Sequence, residues 1–348
     1  MTASVPFSRQ ELCTKEFHPE FRGTLLPKYR YPISPRDNLR RLFQKENFLW
    51  APRNRSEFER VDLSINPDNV ARGPAGGPDM FGVPWVFDPA SRGAMVAPGS
   101  PILTDLERWR EVIHIPDVDQ WDWEGFATRE NPKADPALFK RIIVMNGLFE
   151  RLISFMNFGD AAIALVDEDQ QPYVHELFSA LCDMYEKLIL RAKQTLSIDM
   201  LTFHDDWGTQ RAPMFSVATC RDMLYPYIRR LAQFSHAHGV FFEQHSCGNV
   251  EMFLPLMIQA GVDSWDGQEN ANDKAELIRR YGDELLIYIC PPDVSELPEE
   301  QLAGCAERFL AQFKPGARMI LNMSAENQRL DPALYALTRA GCAGEAQA

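Results

Sequence analysis

His245 and Cys247 stand one residue apart, and each carries a donor that zinc favours. An imidazole nitrogen and a thiolate sulfur from one short stretch can converge on a single ion where a strand gives way to a loop. The plainer reading is a histidine hydrogen-bonded in the core and a cysteine acting as a small hydrophobe. Upstream, His204-Asp205-Asp206-Trp207-Gly208-Thr209-Gln210 sets two carboxylates side by side. Adjacent side chains leaving a strand start in opposite directions, so one acid can face a site while the other braces a neighbouring loop. A carboxylate there can bind a cationic group, act as a general base or ligate a metal. The alternative for either acid alone is capping the next helix.

Groups this far apart in sequence need a scaffold that gathers them. From about residue 137 the chain becomes regular. Apolar strand-like runs at 141–146, 199–204, 240–245, 262–265, 285–290 and 318–323 are separated by helical patterns at 171–196, 219–238, 250–260, 273–281 and 299–313. Gly239 and Gly261 fall where helix C-caps belong. Such alternation indicates βαβ units and a parallel sheet. Adding 46–52 (ENFLWAP) and 80–87 (MFGVPWVF) makes eight strands, which predicts a (β/α)₈ TIM barrel. An open doubly wound sheet is the alternative, but no Gly-rich phosphate loop follows any strand. The barrel is expected as one domain spanning 34–341, with residues 1–33 wrapping its outside. The Gly- and Pro-rich stretch 74–103 reads as a hairpin insertion. Ser34-Pro35, with Asp37 behind them, marks the first clear helix start.

Active sites of such barrels form at the C-terminal ends of the strands. Those ends carry His204 to Gln210, His245 to Asn249, Asp266 and Gln268, Cys290 to Asp293, and Ser324 with Glu326. Polar, ionisable and sulfur groups thus meet on one rim, which packing alone does not demand. Trp207, Trp265 and Phe215 are aromatic-wall candidates, with core packing as the competing role. Cys13, Cys182, Cys220, Cys305 and Cys342 lie in expected helices or tails and read as packing.

Composition narrows the partners. With 36 basic and 49 acidic residues the net charge is −13, which disfavours nucleic acid and anionic membrane surfaces. No apolar run is long enough to span a bilayer, and the opening MTASVPFSRQELCTKEF lacks a signal core. Seven scattered cysteines at no framework spacing fit a reducing compartment, and a cytoplasmic location is expected.

The segments SPRDNLRRLF, GPDMFGVPW, LTFHDDWG, GVFFEQHSCGNVEMFLPLMIQAGVDSWD and RMILNM together resemble the uroporphyrinogen decarboxylase superfamily, over about residues 34–341. HxCG followed by an amphipathic helix and AGVD is the most specific of them. The resemblance implies a TIM barrel. It is nearest to the cobalamin-dependent methyltransferase branch, in which an H-x-C pair and a distant Cys after the last strand hold zinc. His245 and Cys247 match the first two ligands. The distant Cys is missing, and Glu326 or Cys290 is expected to replace it. The Arg-rich motif of the porphyrinogen decarboxylases is not reproduced within 46–60, and their His after the last strand corresponds to about Ala325.

The function this implies is methyl transfer between a small methylated substrate and a corrinoid carried by a partner protein, with zinc as Lewis acid. No D-x-H-x-x-G corrinoid motif occurs in this chain. Asp206 and His245 are the expected catalytic groups, and His204, Asp205, Trp207 and Gln210 the expected substrate contacts. Two other readings stand beside it. One is a decarboxylase or lyase of a non-porphyrin acid, with Arg211 as the nearest cationic anchor. The other is a non-catalytic binding barrel.

Overall fold

A computed structural model describes residues 5–90, 93–99 and 101–345, with side chains described as far as Cys342. Ser91, Arg92 and Ser100 of the expected hairpin, and Met1–Ser4 of the expected wrap, lie outside the described residues. The chain is mixed α/β and divides into two compact units. One comprises Met1–Glu59, Asp135–Lys140 and Asp263–Ala348; the other comprises Arg60–Ala134 and Arg141–Val262. The strands in chain order are β1 (Phe58–Arg60), β2 (Gly77–Pro78), β3 (Pro84–Asp88), β4 (Gly93–Val96), β5 (Phe139–Val144), β6 (Met200–His204), β7 (Phe241–Ser246), β8 (Ser264–Gly267), β9 (Leu286–Ile289) and β10 (Ile320–Leu321).

In the second unit β6 pairs in parallel with both β5 and β7. The first four residues of β6 are all buried, as expected for a strand covered on both faces. The crossover from β5 to β6 runs through the helix Gln171–Leu196. Its buried residues Val174, Leu177, Phe178, Leu181, Tyr185, Leu188 and Ala192 recur every three or four positions, giving one continuous apolar stripe. That helix stops at Ser197, which adopts the left-handed conformation with φ of 55°. Tyr225–Ala237 is the crossover helix before β7.

The stretch expected as a hairpin insertion forms a three-stranded antiparallel sheet, β2–β3–β4, within the same unit. Asp79 organises its entry. Its carboxylate accepts the N–H groups of Phe81 and Val83, both at 2.9 Å, and the Trp85 indole N–H at 3.0 Å. Arg151, fully buried, donates to both Asp79 and Asp68. A buried cation is tolerated when carboxylates pair it, as Asp79 and Asp68 do here, and it ties the insertion to the helix Phe149–Phe155.

In the first unit β9 pairs in parallel with β8 and β10. The N-terminal segment packs on the last helix, Asp331–Glu345. Glu11 accepts hydrogen bonds from Tyr335 and Arg339, and Tyr29, Trp50 and Tyr335 form one aromatic cluster. Arg53 lies buried between Glu57 and Asp331.

Two of the eight expected parallel strands are corrected. Residues 46–52 are irregular, because the Asn38 side chain bonds Leu49 N–H at 2.7 Å and Trp50 C=O at 3.0 Å, taking backbone groups that a ladder needs. The apolar run there marks the aromatic cluster, not a strand. Residues 80–87 contribute β3, which belongs to the antiparallel sheet. The strand count of a closed eight-stranded barrel is therefore not reached among the described residues. No described helix is long and apolar enough to cross a membrane.

Candidate active site

Strand register assembles the site, which lies wholly within the second unit. On β6 and β7 the partners are Thr202 with Glu243 and His204 with His245. Side chains alternate along a strand, so all four project from one face, and Cys247 continues the series beyond β7. Lower on that face the Thr202 hydroxyl donates to Glu243 Oε1 at 2.8 Å, and Arg141 Nη1 lies 3.7 Å from the same oxygen. Above it the rings of His204 and His245 stack.

The loops beyond these strands bring in the remaining donors. Asp206 Oδ1 accepts the Cys247 N–H at 2.6 Å and lies 3.8 Å from His245 Nε2. Cys247 Sγ is 3.4 Å from that same nitrogen. One ligand atom from each of His204, Asp206 and His245 lies within 4.8 Å of the other two. His204 Nδ1 is 2.7 Å from Glu150 Oε2, which leaves Nε2 as the ring's remaining donor. A carboxylate on the far nitrogen is the usual outer partner of a metal-binding imidazole, fixing its tautomer and orientation. Two imidazoles, a carboxylate and a nearby thiol form a donor set suited to zinc.

The two loops are stitched together by their motif residues. Trp207 N–H donates to Ser246 Oγ at 2.9 Å, and Asn249 N–H to Thr209 C=O at 2.8 Å. Gly248 has φ of +79°, and a Cβ there would stand 2.1 Å from the backbone carbonyl of Gly208. Only glycine allows this approach, which is why the sequence reads Cys-Gly after His-x.

Asp205 and Asp206 separate in function. Asp205 is fully buried and accepts from Glu150 N–H at 2.8 Å, Phe149 N–H at 3.2 Å and the Trp207 indole at 2.8 Å. Burial, with the negative charge of Glu150 adding to it, pushes its carboxyl up to about 7. Asp205 thus braces the segment that carries Glu150 instead of facing a substrate. Trp207 is likewise buried, packed against Phe215 and Phe253. Gln210 is exposed on the loop.

Beside Asp206 opens a cavity of about 450 Å³, lined among others by Arg72, Trp85, Asn146, Glu150 and Met214. Reading the sequence overlooked Asn146 and Glu150, although Asn146 follows β5 at the same kind of strand end that was searched elsewhere. Arg72 follows a short helix in the loops before the insertion, and no local pattern announces it.

Glu326 and Cys290 belong to the first unit. Glu326 is exposed, and a hydrogen bond with the Ser324 side chain holds its carboxyl below the usual range. The Cys290 N–H donates to Glu269 Oε1 at 2.8 Å. Burial and the Glu269 charge push the Cys290 thiol up to about 12, so it stays protonated at neutral pH.

No protein-family model matches the sequence, and no curated protein matches it significantly. Among solved structures the chain is similar to a methyltransferase from Methanosarcina mazei, with a TM-score of 0.60 and 13% identity over 87% of this chain and 98% of that one. At that identity the likeness concerns the fold. A D-psicose 3-epimerase with D-tagatose from Clostridium cellulolyticum H10 matches at a TM-score of 0.34 and 10% identity, over 64% of this chain and 81% of that one, too remote to carry an argument.

Proposed function

We propose that this protein moves a methyl group between a small methylated substrate, held in the cavity beside Asp206, and a corrinoid carried by a partner protein. The observation that carries the reading is the convergence of His204, Asp206 and His245 within 4.8 Å, with Cys247 Sγ 3.4 Å from His245. The fold likeness to a protein described as a methyltransferase supports methyl transfer as the use of that donor set, and the sequence resemblance to the cobalamin-dependent branch points the same way. His204, Asp206, His245 and Cys247 would hold a zinc ion. The third donor sought at Glu326 or Cys290 is then supplied from within the unit. Held by these residues, zinc would supply Lewis acidity toward the heteroatom that gains or loses the methyl group.

The chain's own residues perform the rest. Glu150 fixes the His204 ring through Nδ1. Asp206, which holds the Cys247 backbone by one oxygen, is the acid placed to anchor substrate or to take and return a proton at the cavity wall. Trp85 and Met214 give the cavity an apolar wall that limits water. A space of this size takes a small molecule, so the corrinoid must be presented from outside.

A specific observation favours a second reading, decarboxylation of a small acid. Arg72 lines the cavity, whereas Arg211, the anchor expected from sequence, is exposed. One assay separates the two. Protein supplied with cob(I)alamin and methylated ethers, amines or thiols should form methylcobalamin, read by its visible spectrum, and His245→Ala should abolish it. Carbon dioxide release from a small acid, without methyl transfer to cobalamin, would replace the first reading by the second.

A further inference from the structure

The cavity contains more recognition chemistry than a bare methyl donor needs. Arg72 engages only Nη1, which donates to Met145 C=O at 2.6 Å and to Asn146 Oδ1. Its Nε and Nη2 donate to nothing among the described residues, although the side chain is only 16% exposed. The guanidinium is held in place from its face, with the Trp85 ring 5.1 Å away. Asn146 is completely buried, and its Nδ2 has no partner among the described residues. Because Asn146 Oδ1 accepts from Arg72, the amide orientation is fixed and the unmatched group is a donor. Buried donors are almost always satisfied, so this one points to a bound acceptor.

We infer that the cavity takes a small monocarboxylic acid as its carboxylate, which accepts from Arg72 and Asn146 while its apolar body lies along Trp85 and Met214. This deepens the proposed function, resting on its assignment of the cavity to substrate. The free Nε and Nη2 edge of an arginine matches the two oxygens of a carboxylate, and a charged acceptor gains about twice what a neutral one does. Two other carboxylates line the same cavity, and both are engaged. Glu150 lies 3.8 Å from Arg72 and pairs with His204, and Asp206 bonds Cys247 N–H. Their negative charge opposes any acid group away from the open edge of Arg72, which favours a ligand with a single carboxylate placed at that edge. The wall beyond is apolar, with Trp85, Met156, Phe158 and Met214 in it.

Calorimetric titration with phenylacetate, phenylacetamide and phenethylamine presents the same body with an anionic, a neutral and a cationic head. Wild-type protein should bind phenylacetate at least about 10-fold more tightly than either analogue. Arg72→Met should lower phenylacetate affinity about 10- to 100-fold and erase the preference, and Arg72→Lys should retain part of it. In His245→Ala the preference should persist. Equal or tighter binding of the amide or amine by the wild type, or no binding of any of the three, overturns the inference without needing a folded variant. A preference lost in His245→Ala but kept in Arg72→Met would assign the carboxylate to the histidine cluster and also overturn it. The two proposals fail separately. Carboxylate preference without methyl transfer sinks only the reaction, and methyl transfer from neutral donors without that preference sinks only the substrate class.

Discussion

The imidazole rings of His204 and His245 lie 4.3 Å apart, centroid to centroid, with their planes only 17° from parallel. They are register partners on adjacent parallel strands, so the backbone ladder fixes this stacking. A ring nitrogen of each stands with an Asp206 oxygen in a group whose members all lie within 4.8 Å of one another.

Carefully prepared protein should contain about one zinc per chain by elemental analysis. His204→Ala and His245→Ala should each remove most of it, and Cys247→Ala should weaken retention. Cys305→Ala, in the other unit, should leave the content unchanged. Protein that contains no transition metal and takes up no added Zn²⁺ would eliminate the metal from the proposal.

Asp206→Asn keeps the shape of the side chain and one acceptor for the Cys247 N–H while removing its charge. The fold should persist, and turnover should fall by about 10²–10⁴-fold, the usual scale of a lost acid–base group. Circular dichroism paired with the methylcobalamin assay reads both. Unchanged turnover would take Asp206 out of the chemistry.

Asp205 offers a pH test. Burial raises its carboxyl to about 7 in the folded protein, whereas an unfolded Asp ionises near about 4. The folded state therefore binds the extra proton between these values. The stability from this group is full below about pH 4 and is lost as the pH rises towards about 7, by at most ~1.4 kcal/mol per pH unit. Asp205→Asn stays neutral and lacks this slope, with a constant cost of about 1–3 kcal/mol because an amide cannot accept from all three N–H groups. In urea titrations, wild type should exceed the variant by more at pH 5 than at about pH 7.5. Equal differences at both would mean that Asp205 ionises normally.

Gly248→Ala should cost at least ~2 kcal/mol, combining an unfavourable positive φ with a collision against the Gly208 carbonyl. Because the collision separates the loops that carry Asp206 and Cys247, zinc retention should fall with it. Gly239→Ala is the control for backbone strain alone, since its φ is +66° and a Cβ there meets nothing within 4 Å. If both variants lose metal equally, the Gly208–Gly248 contact is not what holds the site.

The sequence alone determined much of this protein. Short apolar runs alternating with helical patterns, with glycine at the helix ends, are local properties. They placed β5 to β9 and the helix Gln171–Leu196 to within a few residues. The same logic led to His204, Asp206, His245 and Cys247, because strand ends can be read without knowing which strands are neighbours. Tertiary structure decided what depends on partners. The run at 46–52 reads as a strand by composition, yet Asn38 occupies its backbone groups and aromatic packing buries its side chains. Two adjacent acids look alike in sequence, and only the three N–H groups around Asp205 make it a buried brace. Arg72 and Asn146 are far apart in the chain, and neither position carries a motif. They meet at one cavity because long-range packing, which no local periodicity encodes, brings the chain after a short helix against the end of β5.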